Sequence, residues 1–164
     1  MLEFAIALDK PVALRYPRSV IPPSGYPVKP LEIGKAEVLR EGTDFVLLAL
    51  GSMVSPSLEA MEMLEKEGLK GALVNARFVK PLDINLFKAL TSQAKFTFSA
   101  EEGIIEGGFG SAVTEAIDRP VIKIGLPAEF IPHGSRDILL DKYGLTAKGI
   151  ADKILKTVKR SRSI

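Results

Sequence analysis

Two arginines stand three apart in "VALRYPRS" (12–19), and two glutamates stand side by side in "FTFSAEEG" (96–103). A guanidinium keeps its charge at any working pH and forks onto phosphate or carboxylate oxygens. Arg15 and Arg18 are therefore candidate ligands for an anionic group. Pro17 fixes the backbone just before Arg18, so that side chain would be aimed rather than loosely tethered. The plainer alternative is that both arginines are solvated charges at a strand end. Glu101 and Glu102 close a hydrophobic run, where open α/β sheets present their ligands. Gly107, Gly108 and Gly110 come next and lead into a helix N-terminus, whose exposed N–H groups could hold an anion. The spacing is not G-x-G-x-x-G, and the same glycines permit a tight turn and close helix–sheet packing.

Other chemistries lack their residues. No G-x-S-x-G elbow, phosphate-loop signature or H-E-x-x-H occurs. The single histidine, His133, rules out a two-histidine metal site and reads as a structural or surface residue before a helix. The chain has no cysteine, which removes disulfides, thiolate catalysis and Cys-ligated metals. Arg77 and Lys80 flank a strand–turn–helix joint, and Lys153, Lys156, Lys159, Arg160 and Arg162 line the last helix opposite Ile150, Ile154 and Val158. Those cations complement a helix C-terminus, and 22 basic against 20 acidic residues give too balanced a chain to imply nucleic acid. No apolar run approaches a membrane span. "MLEFAIAL" (1–8) lacks a basic leader and a cleavage site, so the expected location is cytoplasmic, with no membrane partner.

The elements that must position these residues alternate. "PVALR" (11–15) is a strand candidate, and Pro17, Pro22, Pro23, Gly25, Pro27 and Pro30 make residues 17–32 a connector. "KAEVLREG" (35–42) alternates as a half-buried strand, and "FVLLALG" (45–51) is a continuous apolar run expected in the sheet centre. The short turn between them predicts an antiparallel pair. Ser55 is the expected cap of a helix with Pro56 at its first position, Leu58, Met61 and Leu64 on one face and Gly68 at its end. "GALVNARF" (71–78) is a strand, and Asp83 caps a helix that turns Ile84, Phe87 and Leu90 inward. "FTFSAE" (96–101) is a strand, and a helix is expected from about Ser111 to Ile117. "PVIKIG" (120–125) is the last strand, with two helices near 134–143 and 145–160. The order predicts an α/β protein with a mixed, mostly parallel sheet between helical layers, and 164 residues suit one domain with a short appendage.

Taken together, "PVALRYPRS", "VNARFVKPLD", "EEGIIEGGFGSAVTEAI" and "IGLPAEFIPHGSRDILLDKYGLTAKGI" resemble, in order, the C-terminal portion of the 1-deoxy-D-xylulose-5-phosphate synthase family. These are transketolase-like thiamine diphosphate enzymes, and the resemblance covers essentially the whole chain. Asn75 stands where the family commonly has Asp, and Ser19 where it commonly has Gly. Neither position carries the family's chemistry. The resemblance implies a three-layer α/β/α fold around a mixed five-stranded sheet. It implies that residues 1–19 end the pyrimidine-binding domain, 20–33 form a linker and 34–164 form a transketolase C-terminal domain. It implies a fragment of a homodimeric enzyme that condenses pyruvate with glyceraldehyde 3-phosphate and releases CO₂, for isoprenoid and thiamine biosynthesis. Thiamine diphosphate and Mg²⁺ would serve the full-length enzyme. None is expected to bind this chain, which lacks the G-D-G…N motif and is expected to be inactive alone. In the family the second arginine of "RYPR", here Arg18, helps bind the substrate phosphate. Arg15, Glu101, Glu102, Gly107, Gly108 and Gly110 form a secondary candidate site. Two alternatives stand beside this reading. One is the C-terminal domain of a transketolase or a 2-oxoacid dehydrogenase β subunit. The other is a stand-alone α/β binding or assembly module with its ligand in the Glu101–Gly110 crevice.

Overall fold

A computed structural model of the chain describes residues 1–17 and 29–162. Arg18 and most of the Pro-rich connector lie outside the described residues. After a short helix α1 (Leu2–Ala7), the chain builds one sheet from β1 (Glu37–Arg40), β2 (Phe45–Ala49), β3 (Ala72–Asn75), β4 (Phe96–Ile104) and β5 (Ile122–Leu126). Helices α2 (Val54–Lys66), α3 (Ile84–Gln93), α4 (Phe109–Ile117), α5 (Arg136–Lys142) and α6 (Ala147–Arg162) connect and follow the strands.

The sheet order is β1-β3-β2-β4-β5. β2 is parallel to β3 and to β4, β4 is parallel to β5, and β1 alone runs antiparallel, against β3. The continuous apolar run of β2 thus lies at the centre with both faces covered, and all five of its residues are buried. Phe45, Leu47, Ala49, Phe98 and Ala100 face a core completed by Met61 and Leu64 of α2 and Ile150, Ile154 and Val158 of α6. Val46, Leu48, Ala72 and Val74 face Phe87 of α3 and Phe109, Val113 and Ile117 of α4. The result is the expected mixed, three-layer α/β/α arrangement.

Several local expectations need correction. β1 and β2 run in opposite directions but do not pair, because β3 lies between them. The connection 41–44 crosses the start of β3: the Asp44 N–H donates to the Lys70 carbonyl (3.0 Å), and the Lys70 N–H donates to the Asp44 carboxylate (2.6 Å). β2 bonds β3 along one edge and β4 along the other, which leaves no free edge for β1. Residues 11–15 join no strand. Ser55 is not the cap of α2. A 3₁₀ turn, Gly51–Met53, runs into the helix, which starts at Val54 and has Pro56 at its third residue. α4 begins at Phe109, two residues earlier than expected. Ile84 is exposed, whereas Phe87 is fully buried. Asp83 does cap α3. One carboxylate oxygen accepts from the Leu86 N–H (3.3 Å) and the other from the Ala36 N–H (3.1 Å), which ties the entrance of β1 to α3.

The crossing over β3 makes a quantitative expectation. A Cβ on Gly42 would lie 2.4 Å from the Lys70 carbonyl oxygen, a backbone atom that cannot step aside. Gly68 ends α2 with φ +78 and open space around it. Gly42→Ala should cost about 2–3 kcal/mol by overpacking, and Gly68→Ala about 1 kcal/mol through backbone conformation alone. Urea unfolding midpoints at unchanged slope would show the difference. Equal costs would mean that the connection does not pass close over β3.

Candidate functional site

Side chains alternate along a strand, and the end of β4 puts a carboxylate on each face of the sheet. Glu101 shares the face of α3 and α4 and is buried. One of its oxygens accepts from the Phe109 N–H (2.7 Å) and the other from the Gly110 N–H (2.8 Å). The N-terminus of α4 is thereby held by a charge that suits its dipole. The glycines make room: a Cβ on Gly108 would lie 2.3 Å from a Glu101 oxygen, and one on Gly110 would lie 2.3 Å from Ser99 Oγ. The adjoining loop is closed by Ser111. Its hydroxyl accepts from the Gly107 N–H (3.0 Å) and from Lys123 Nζ (2.7 Å), and it donates to the Ile105 carbonyl (3.0 Å). Of the two readings of these glycines, the contacts favour close helix–sheet packing over helix N–H groups open to an external anion. The anion on two of them is the chain's own carboxylate.

Glu102 faces the other way, over the ends of β2 and β4. Its carboxylate is gripped from both sides by Arg136, at the start of α5, through Nε (2.9 Å) and an Nη (2.6 Å). The Ser52 hydroxyl donates a third bond (2.6 Å) from the turn after β2. The neighbours β2 and β4 continue to opposite sides of the sheet, so this is the topological switch point where open α/β sheets hold ligands. The bonded Arg136 guanidinium, helped by Ser52 and by the charges of Arg136 and Arg15, holds the Glu102 carboxyl below its ordinary value against the contrary effect of burial. Glu102 in turn raises Arg136. The Arg15 guanidinium donates to the Glu102 backbone carbonyl.

The structure thus brings Arg15, Glu101, Glu102, Gly108 and Gly110 together. Arg18 lies outside the described residues. Ser52 and Arg136 were not visible as members of the cluster, because they are 50 and 34 residues from Glu102 in sequence. The available signal was topological, since both stand beyond strand ends on one edge of a parallel sheet. Arg77 belongs elsewhere. It reaches the buried Glu37 (2.5 Å) and the Pro30 carbonyl (3.2 Å), and Lys29 also pairs with Glu37 (3.3 Å), so the end of the connector is pinned beside β1. His133 is exposed. In the last helix, Lys159 pairs with Glu67 (3.1 Å). Among the described residues no three His, Cys, Asp or Glu side chains gather to hold a metal. No helix among them is long and apolar enough to cross a membrane.

A family model described as the C-terminal domain of transketolase matches residues 34–150. The chain belongs to the transketolase C-terminal domain family. Within that family it is similar to the 1-deoxy-D-xylulose-5-phosphate synthase of Gloeobacter violaceus, with 45% identity over 163 residues, 93% of this chain and 25% of that protein. It is also similar to the synthase of the same name from Caldanaerobacter subterraneus subsp. tengcongensis, with 41% identity over 99% of this chain and 27% of that protein. The chain spans about a quarter of the length of the curated relatives it matches. Among solved structures it is similar to one described as a split-gene transketolase, inactive beta4 tetramer. There the TM-score is 0.79 at 35% identity, over 87% of this chain and 48% of that one. A transketolase mutant from Pichia stipitis, at TM-score 0.59 and 20% identity over 77% of this chain and 18% of that one, shares the fold.

Glu102 has a folded-state value below its unfolded one. Its stabilising contribution is therefore complete above about pH 4.3, the ordinary glutamate value, and is lost as pH falls through the lower folded value. Glu102→Gln should lower the thermal midpoint at pH 7, and the gap to the parent chain should narrow as pH falls below the ordinary glutamate value and Glu102 takes up its proton. Thermal melts across that fall in pH check it. A gap that widens in acid would contradict the arrangement.

Proposed function

We propose that this chain is the C-terminal part of a thiamine-diphosphate-dependent synthase that joins pyruvate to glyceraldehyde 3-phosphate, with loss of CO₂, to give 1-deoxy-D-xylulose 5-phosphate. The observation that carries the reading is the identity of 41–45% to synthases of that name over 88–99% of the chain. No step on the cofactor is assigned to the described residues. Their part is to support the acceptor end of the pocket. Residues 1–19 would complete the preceding domain, residues 20–33 would link it to a C-terminal domain of residues 34–164, which the family match over 34–150 supports, and the whole enzyme would act as a homodimer.

Supplied with pyruvate and glyceraldehyde 3-phosphate, the full-length protein should form 1-deoxy-D-xylulose 5-phosphate. It should not move a two-carbon unit from xylulose 5-phosphate to ribose 5-phosphate. The reverse pattern would place it among transketolases. Arg18 is the proposed ligand of the acceptor phosphate. The phosphate is remote from the reacting carbon, and its binding energy orients the aldehyde. Arg18→Ala should cost about 2–4 kcal/mol, roughly 30- to 1,000-fold, in the acceptor's specificity constant. Arg18→Lys should recover part of the loss, and unphosphorylated glyceraldehyde should be almost indifferent. Steady-state kinetics with both acceptors decide it, and equal losses on the two would remove Arg18 from this role.

A further inference from the structure

Among the described residues, the exposed large apolar side chains gather at one edge of the sheet. The parallel strands β2, β3, β4 and β5 all end there, and the antiparallel β1 starts there, with Glu37 opposite Asn75. Val79 and Ile84 follow β3, Ile104 ends β4, Phe130 and Ile138 follow β5, and Ile33 precedes β1. Phe130 is fully exposed. Local contacts keep these stretches at the edge. A Cβ on Gly34, beside Ile33, would lie 2.8 Å from the Pro81 side chain, and Arg136, in the same turn as Ile138, holds Glu102. Residues 1–17 lie across the same edge. Phe4 meets Phe78 edge-on, with ring centroids 6.3 Å apart, and Arg15 donates to the Glu102 carbonyl. Leu2, Ile6, Val12 and Tyr16 of this segment are exposed. Met63, on α2, is the exception to the pattern. Single exposed apolar residues are ordinary, but a set confined to one edge marks an interaction surface.

We propose that this edge is the surface on which the preceding domain of the full-length enzyme docks, with Phe130 as an apolar anchor. This rests on the reading of residues 1–19 given above. Two observations choose that occupant. The chain spans about a quarter of the length of its curated relatives, so a protein of their size has other parts to cover the edge. Residues 1–17, which that reading assigns to the preceding domain, already rest here, and their exposed apolar side chains continue the patch. A domain built around them extends a contact that exists. The carboxylates of the edge have partners within it: Glu102 has Arg136, and Glu37 has Arg77 and Lys29. Covering the edge therefore strands neither charge, and an aromatic side chain such as Phe130 is of the type enriched in protein contacts. The outer face of α2 and α6, with Glu59, Glu62, Lys153 and Lys156 exposed, stays in solvent.

The test uses the full-length protein with the photo-crosslinking residue p-benzoylphenylalanine at position 130, and at position 63 as a control on a helix face. A mixture of isotope-labelled and unlabelled protein separates crosslinks within one chain from crosslinks between chains. Position 130 should crosslink within one chain to residues that precede Met1, and position 63 should not. Position 79, at the other end of the edge, should behave as 130 does and gives a second reading if the change at 130 disturbs folding. Crosslinks from 130 and 79 that join two chains would give the edge to a second copy. Crosslinks confined to residues 1–164, or none beyond the level at 63, would leave it uncovered. Each of these results overturns the proposal. In the same protein, Phe130→Ser should speed amide exchange of residues 127–131 about 10-fold, because a buried aromatic is lost, and unchanged exchange would contradict the anchor. None of these readings uses activity. A full-length protein that forms no 1-deoxy-D-xylulose 5-phosphate would overturn the proposed function, and the crosslinks would still decide what covers the edge.

Discussion

Two carboxylates in a row at the end of a strand must point to opposite faces of the sheet, and the polar part of this structure depends on that alternation. Glu101 is carried inward to the amides of α4, and Glu102 is carried to the opposite face, toward Ser52 and Arg136. Each would be costly unpaired, since a buried or half-buried charge must recover its hydration from fixed partners. Each has such partners, two backbone amides for Glu101 and a guanidinium with a hydroxyl for Glu102. One short stretch of β4 therefore fixes where α4 begins, where α5 begins and how the turn after β2 sits.

The same stretch places the domain's polar edge at the switch point of its sheet, and there the chain fills its own crevice. The amides of Phe109 and Gly110, which could have held a phosphate, hold Glu101. The crevice between β2 and β4 holds Glu102 with Arg136. Close approach of α4 to the sheet has a cost of its own. The Ser99 hydroxyl, packed against Gly110, is buried without a hydrogen-bond partner among the described residues.

Much of this was legible from residue patterns because the signals are local. The apolar run at 45–49, the Asp83 cap, the Gly68 stop and the inward stripe of Ile150, Ile154 and Val158 each follow from periodicity or capping chemistry within a few residues. The errors fall where the deciding contact is distant. β1 does not pair with its sequence neighbour β2, whose two edges are taken by β3 and β4. Residues 11–15 look like a strand by composition, yet a strand exists only with a partner to bond. Arg136 reads as an ordinary first residue of a helix, and only the folded edge shows that it faces Glu102.

The central claim is that Glu101 occupies the N-terminus of α4 and leaves those amides closed to outside anions. Proton NMR of the Phe109 and Gly110 amides tests it most directly, followed through a titration with inorganic phosphate and in Glu101→Gln. The account predicts two slowly exchanging, downfield amides that ignore phosphate and that both move in Glu101→Gln. Amides that exchange quickly, move with phosphate and stay unchanged in Glu101→Gln would contradict it and would reopen the crevice as a binding site.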